Sequence, residues 1–124
     1  WLTIGVFDGV HRGHREIIQK LVSDAHAHHA PAVVLTFHPH PATVLTGREI
    51  RCLTTPDERA DLLAALGVDV VITQRFTPNL STATALEYMT TLKKSLGLAH
   101  LLIGYDFALG SRRRKVGIYC KYCR

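Results

Sequence analysis

The sequence predicts an α/β fold: an open parallel sheet covered by helices on both faces. Three observations carry it. Residues 2–7, 32–37, 68–73 and 99–103 form four short, mostly apolar runs, as strands buried on both faces do. Segments with helical apolar spacing and recognisable caps separate them. Strand and helix alternate, which implies parallel pairing through right-handed helical crossovers.

Each element has its own local reason. After the first run comes a glycine-rich turn, Asp8-Gly9-Val10-His11-Arg12-Gly13. Ile17, Ile18, Leu21, Val22 and Ala25 then recur at helical spacing, predicting a helix from about residue 14 to about 29, closed by Pro31. The second strand is cut off by Pro39 and Pro41, since proline cannot continue a ladder. Thr55 as N-cap, Pro56 at the first helical position and Glu58 as the capping-box partner predict the next helix. Leu62, Leu63 and Leu66 supply its apolar face, and Gly67 closes it in a left-handed conformation. A second capping box, Thr84 with Glu87, opens a helix that ends at Gly97. The whole is a Rossmann-like sheet, whose ligand site belongs at the carboxyl ends of the strands.

With 124 residues and 47% hydrophobic content, the chain makes one small domain with one core. No apolar run approaches the ~18 residues of a membrane span. Trp1 leads straight into the first strand with no signal-like segment, and is read as the start of a fragment whose first strand is clipped. Three cysteines make no disulfide framework, which points to a reducing cytoplasm. The formal charge of +5 is a local feature. Six of the fifteen Lys and Arg lie in residues 111–124, leaving nine against ten acids in residues 1–110. A nucleic-acid function for the whole domain therefore has little support.

The chemistry-bearing residues follow strand ends. His11 and His14 lie three apart where a helix begins, so both can face one anion held there by free backbone N–H groups and the helix dipole. Gly13 lets a nucleotide approach the backbone. Imidazole N–H groups can stabilise charge that develops on a phosphoryl group. Taken singly, each histidine reads as an ordinary surface residue; the complete string with Gly5, Asp8 and Gly9 directly after a strand does not. Asp106, just past the last strand, is placed either to orient a metal-bound phosphate or to cap a turn. Pro39-His40-Pro41 alone reads as a rigid exit loop, and Phe107 and Leu109 alone are as readily core plugs.

At T-I-G-V-F-D-G-V-H-R-G-H (residues 3–14) the chain resembles the H-x-G-H nucleotidyltransferases, and more closely the FAD synthetase domain of bacterial bifunctional riboflavin kinase/FMN adenylyltransferases. T-F-H-P-H-P at 36–41 and G-Y-D-F-A-L-G at 104–110 match that family's later motifs in order. The resemblance covers residues 1–110. It implies transfer of AMP from ATP to the phosphate of FMN, giving FAD and pyrophosphate, with Mg²⁺ accompanying ATP. It assigns His11 and His14 to catalysis, and Gly5, Phe7, Asp8, Gly9, His11, Gly13 and His14 to ATP. Pro39, His40, Pro41, Gly104, Asp106, Phe107 and Gly110 go to FMN. The last two motifs argue against other adenylyl- or cytidylyltransferases, which remain the alternative with an inactive nucleotide-binding fragment. His38 departs from the acidic residue the family commonly has there.

Residues 111–124 are expected to be a basic, cysteine-containing tail, disordered or non-native. The family's S-S-T-x-I-R segment and riboflavin kinase barrel do not appear in the sequence, so this chain alone is expected to lack full activity. Cys120-Lys121-Tyr122-Cys123 is half a zinc-ribbon spacing with no second pair. Arg112 to Lys115 read equally as phosphate contacts and as a solvated charge run. His26, His28 and His29 crowd a helix end, where cations are favourable, and read as solvated rather than as metal ligands. Metal ligands are not identified by the sequence.

Overall fold

A computed structural model describes residues 1–103 and the backbone of residues 108–109 and 114–115. Strands β1 (Leu2–Ile4), β2 (Val33–His38), β3 (Val70–Arg75) and β4 (Leu101–Leu102) form one sheet in the order β3-β2-β1-β4. Every pairing in it is parallel, with Leu2 opposite both Val33 and Leu101 and Val33 opposite Val70. The chain moves outward from β1 to β2 to β3, then returns to the other side of β1. The order therefore reverses at β1, and the crevice beyond its carboxyl end is the place this topology offers a ligand.

Helices α1 (Arg12–Ala27), α2 (Pro41–Thr46), α3 (Pro56–Ala65), α4 (Pro78–Thr82) and α5 (Ala85–Leu96) complete the described part. One sheet face buries Val34 against Ile18, Leu21 and Ala25 of α1 and Leu63 of α3. The other buries Leu2, Ile4 and Leu35 against Tyr88 and Leu92 of α5. The alternation of Val34 and Leu35 between faces is the two-residue period of a strand covered on both sides. Tyr88 Oη donates to Gln74 Oε1 at 2.6 Å, giving the buried phenol its polar partner. Burial pushes that phenol up to about 12. No helix among the described residues is long and apolar enough to cross a membrane.

Both predicted capping boxes form, at Thr55/Glu58 and Thr84/Glu87, and Gly67 and Gly97 both take positive φ. Three details differ from the sequence reading. Helix α1 begins two residues earlier, because His11 rather than a later residue caps it. Strand β1 stops at Ile4, because Phe7 turns into the left-handed region at φ 50°. The buried face of α3 consists of Arg59 and Leu63, while Leu62 is 38% exposed. Helices α2 and α4 were not anticipated, nor was the antiparallel pair of short strands β5 (Ala108–Leu109) and β6 (Arg114–Lys115).

Candidate active site

Between β1 and α1 the backbone makes a tight, strained turn. Phe7, Gly9 and Val10 have φ of 50°, 72° and 45°. Left-handed geometry at a β-branched valine costs on the order of 1–3 kcal/mol and persists only where the surroundings over-determine it. Here they do. Val10 is 1% exposed, and its carbonyl accepts from Arg15 Nε at 3.2 Å. Asp8 Oδ2 accepts from the Leu53 amide at 2.9 Å; its Oδ1 accepts from the Thr54 amide and hydroxyl, each at 3.0 Å. The Gly9 amide donates to Thr54 Oγ1 at 3.2 Å. Several hydrogen bonds at about 1 kcal/mol each suffice against such strain.

This turn delivers His11 to the mouth of α1 as its N-cap. His11 Nδ1 accepts from the His14 amide at 3.4 Å. With Nδ1 accepting, the proton of a neutral His11 belongs on Nε2, which makes that edge a donor. The two imidazoles stack, with centroids 3.4 Å apart and planes at 21°. His11 is exposed and His14 half-buried, edge-on to the Phe7 ring at 5.1 Å. His14 Nδ1 is buried and has no hydrogen-bond partner.

The electrostatics favour an anion. Burial, then the neighbouring His11, depress His14 below the ordinary 6.5; Arg59 adds to this and Asp8 opposes it. No acidic residue occupies the first turn of α1, which carries Arg12, His14 and Arg15. Apart from the His11 ring nitrogen on the His14 amide, the partial positive charge of this helix start is thus not offset by any acid in its own first turn. Burial alone would raise the Asp8 carboxyl, but the Leu53 and Thr54 hydrogen bonds and the Arg59 charge hold it below its ordinary value.

The predicted residues divide by what they touch. His11, Gly13 and His14 line the helix mouth. Gly5 has another use than ligand access, since a Cβ there would lie 2.9 Å from Phe7 Cζ. Likewise a Cβ on Gly9 would meet Leu53 Cδ1 at 2.8 Å. Phe7 is 5% exposed, packed in the core beneath the turn. Pro39, His40 and Pro41 follow β2, next to β1 in the sheet, and are half-buried. His40 caps α2 as His11 caps α1, its Nδ1 accepting from the Ala42 amide at 3.0 Å. Gly104, Asp106, Phe107 and Gly110 lie outside the described residues, as do Cys120 and Cys123.

Sequence reasoning missed Arg59. Its side chain is 2% exposed, and Nη2 lies 3.8 Å from Asp8 Oδ1. Elsewhere, His26 Nε2 lies 2.8 Å from Asp69 Oδ2, and His28 Nδ1 lies 2.7 Å from the Asp24 carbonyl. Among the described residues, no three His, Cys, Asp or Glu side chains are grouped to hold a metal ion. A cavity of about 520 Å³ opens at the amino ends of the strands, lined by Trp1, Leu2, His28, Val70, Leu96 and His100. None of the described candidate residues lines it.

Residues 1–121 match the FAD synthetase family. A bifunctional riboflavin kinase/FMN adenylyltransferase of Escherichia coli is 38% identical over 114 residues, 90% of this chain and 36% of that protein. One from Listeria monocytogenes is 32% identical over 113 residues, with the same coverage. An FAD synthetase of Listeria monocytogenes is 35% identical over 114 residues, 90% of this chain and 46% of its own length. The chain thus spans from about a third to just under half of these relatives. Among solved structures, a protein named as a macrolide-efflux protein from Streptococcus pneumoniae superposes with a TM-score of 0.80 at 27% identity. That match covers 92% of this chain and 39% of the other.

Proposed function

The chain belongs to the FAD synthetase family, and from that footing we propose that it carries FMN adenylyltransferase activity, forming FAD and pyrophosphate from FMN and ATP. The observation that carries this reading is the α1 mouth: a helix start with no acid in its first turn, faced by two stacked imidazoles. Such a start favours a polyphosphate, because unpaired amides and the helix dipole attract anions.

In this reading the ATP phosphates lie across the α1 mouth, over Gly13 and against the edges of the stacked His11 and His14 rings. An FMN phosphate oxygen attacks the α-phosphorus in line, the bond to the bridging oxygen breaks, and pyrophosphate leaves. His11, donating from Nε2, and His14 stabilise the charge that accumulates on the phosphoryl oxygens. The fixed helix and the over-determined turn hold these groups in place, so little reorganisation is needed as the reaction proceeds. Gly5, Phe7, Asp8 and Gly9 support ATP indirectly, by shaping the turn. Pro39, His40 and Pro41, with Gly104, Asp106, Phe107 and Gly110, form the FMN side.

Mg²⁺ enters with ATP as part of the substrate. Asp8, three residues before His11, accepts three hydrogen bonds and faces Arg59, so it is poorly suited to bind the ion. The same reading makes the enzyme cytoplasmic, where ATP is available, and joins it to a riboflavin kinase domain in the full-length protein. Residues 1–110 are then the nucleotidyltransferase domain and residues 111–124 a basic tail.

The test is chromatographic detection of FAD from FMN, ATP and Mg²⁺ by the full-length protein. FAD is the expected product, and its absence rejects the proposal. His14→Ala is expected to reduce kcat by about 10²–10³-fold, with KM for ATP changed little.

A further inference from the structure

We propose that Arg59 is a positioning residue that locks the histidine turn to the exit of β2, setting the phosphate-binding side of the site against the acceptor side. This rests on the adenylyltransferase reading above. Its guanidinium makes contacts in three directions. Nε donates to Thr54 Oγ1 at 3.4 Å, and Nη1 donates to Thr36 Oγ1 at 3.0 Å and to the Phe37 carbonyl at 3.3 Å. Nη2 faces Asp8 Oδ1 at 3.8 Å.

Each contact continues into a loop of the site. Thr36 Oγ1, while accepting from Arg59, donates to the Val6 carbonyl at 2.8 Å, at the start of the strained turn. Thr54 Oγ1 accepts from Arg59 and from the Gly9 amide and donates to Asp8, using its full hydrogen-bonding capacity on that turn. Phe37 is two residues before Pro39, so its carbonyl lies at the root of the segment assigned to FMN. One buried cation thus joins residues 6–9, residues 36–37 and residue 54.

A stability role alone is a poor reason to bury a guanidinium. Desolvation offsets most of the attraction in a buried ion pair, and apolar replacement of both partners is often neutral or stabilising. A planar fork does what an apolar side chain cannot: it fixes several acceptors at set directions. Lysine keeps the charge but has no such fork.

The experiment compares wild type, Arg59→Lys and the double variant Asp8→Asn/Arg59→Met in the full-length protein. Folding is followed by circular dichroism and steady-state FAD formation yields kcat and KM. Arg59→Lys is expected to fold and to lose about 10²-fold in kcat with KM for ATP within about threefold, as a small misplacement of reacting groups does. The double variant is expected to fold and to lose kcat similarly. A folded Arg59→Lys protein with wild-type kcat overturns the inference, and an unfolded one overturns it in favour of a purely structural role. If wild type makes no FAD, the adenylyltransferase reading fails separately. The positioning claim is then decided by imidazole ¹⁵N resonances. Arg59→Lys should displace those of both His11 and His40 while the amide resonances of α5 stay in place, and unmoved imidazoles overturn it.

Discussion

Helices α3 and α5 start closed, whereas α1 starts open. At α3 and α5 a threonine hydroxyl accepts from the N3 amide and a glutamate returns to the cap amide, with acid in the first turn. At α1 the cap is an imidazole bonded to the His14 amide, the N3 residue is a histidine with no carboxylate to return to the cap, and the first turn carries arginines. The first arrangement satisfies the helix from within. The second has no acid of its own at its positive end, and burial of His14 disfavours the charged form of that ring. In the proposed reading this helix start receives the substrate's phosphates, and it follows the strand where the sheet order reverses.

This contrast can be broken from either side. Arg12→Glu gives α1 the acid that α3 and α5 have. It should weaken ATP binding most, raising KM about tenfold or more, since a carboxylate beside a phosphate costs on the order of 1–4 kcal/mol. The same change should raise the melting temperature slightly, because an acid at a helix start is stabilising by about 0.3–1 kcal/mol. Opposite signs for binding and stability, read by steady-state kinetics and thermal denaturation, are what an open helix start requires. Smaller still is Thr84→Ala, which removes a cap far from the site. It should cost about 0.5–2 kcal/mol of stability in chemical denaturation and leave kcat and KM unchanged.

Much of this architecture was legible in the sequence, and the gaps have physical causes. The caps at Thr55 and Thr84 stood out because each introduces a long helix with apolar spacing. Thr77-Pro78 and His40-Pro41 carry similar signals, a cap followed by proline at the first helical position. Those signals are weak because the helices they open are five and six residues long and bury no residue fully, so no periodicity supports them. The histidine pair was readable as a pair because spacing of three across a helix start brings rings together. Arg59 was not, since a charged residue in the first turn reads as solvated; its only hint was its place four residues before the buried Leu63. Gly5 and Gly9 were recognised as special for a reason the structure complements: side chains of Phe7 and Leu53 already fill the space above them.

The most direct test of the open helix start is the ionisation of His14. Because folding lowers its proton affinity, its contribution to stability is present above pH 6.5 and is lost as pH falls through the folded value. Titration of the imidazole ¹⁵N resonances of the folded protein should show His14 with a midpoint below 6.5. A midpoint at or above 6.5 would contradict the burial of the His14 ring at the mouth of α1.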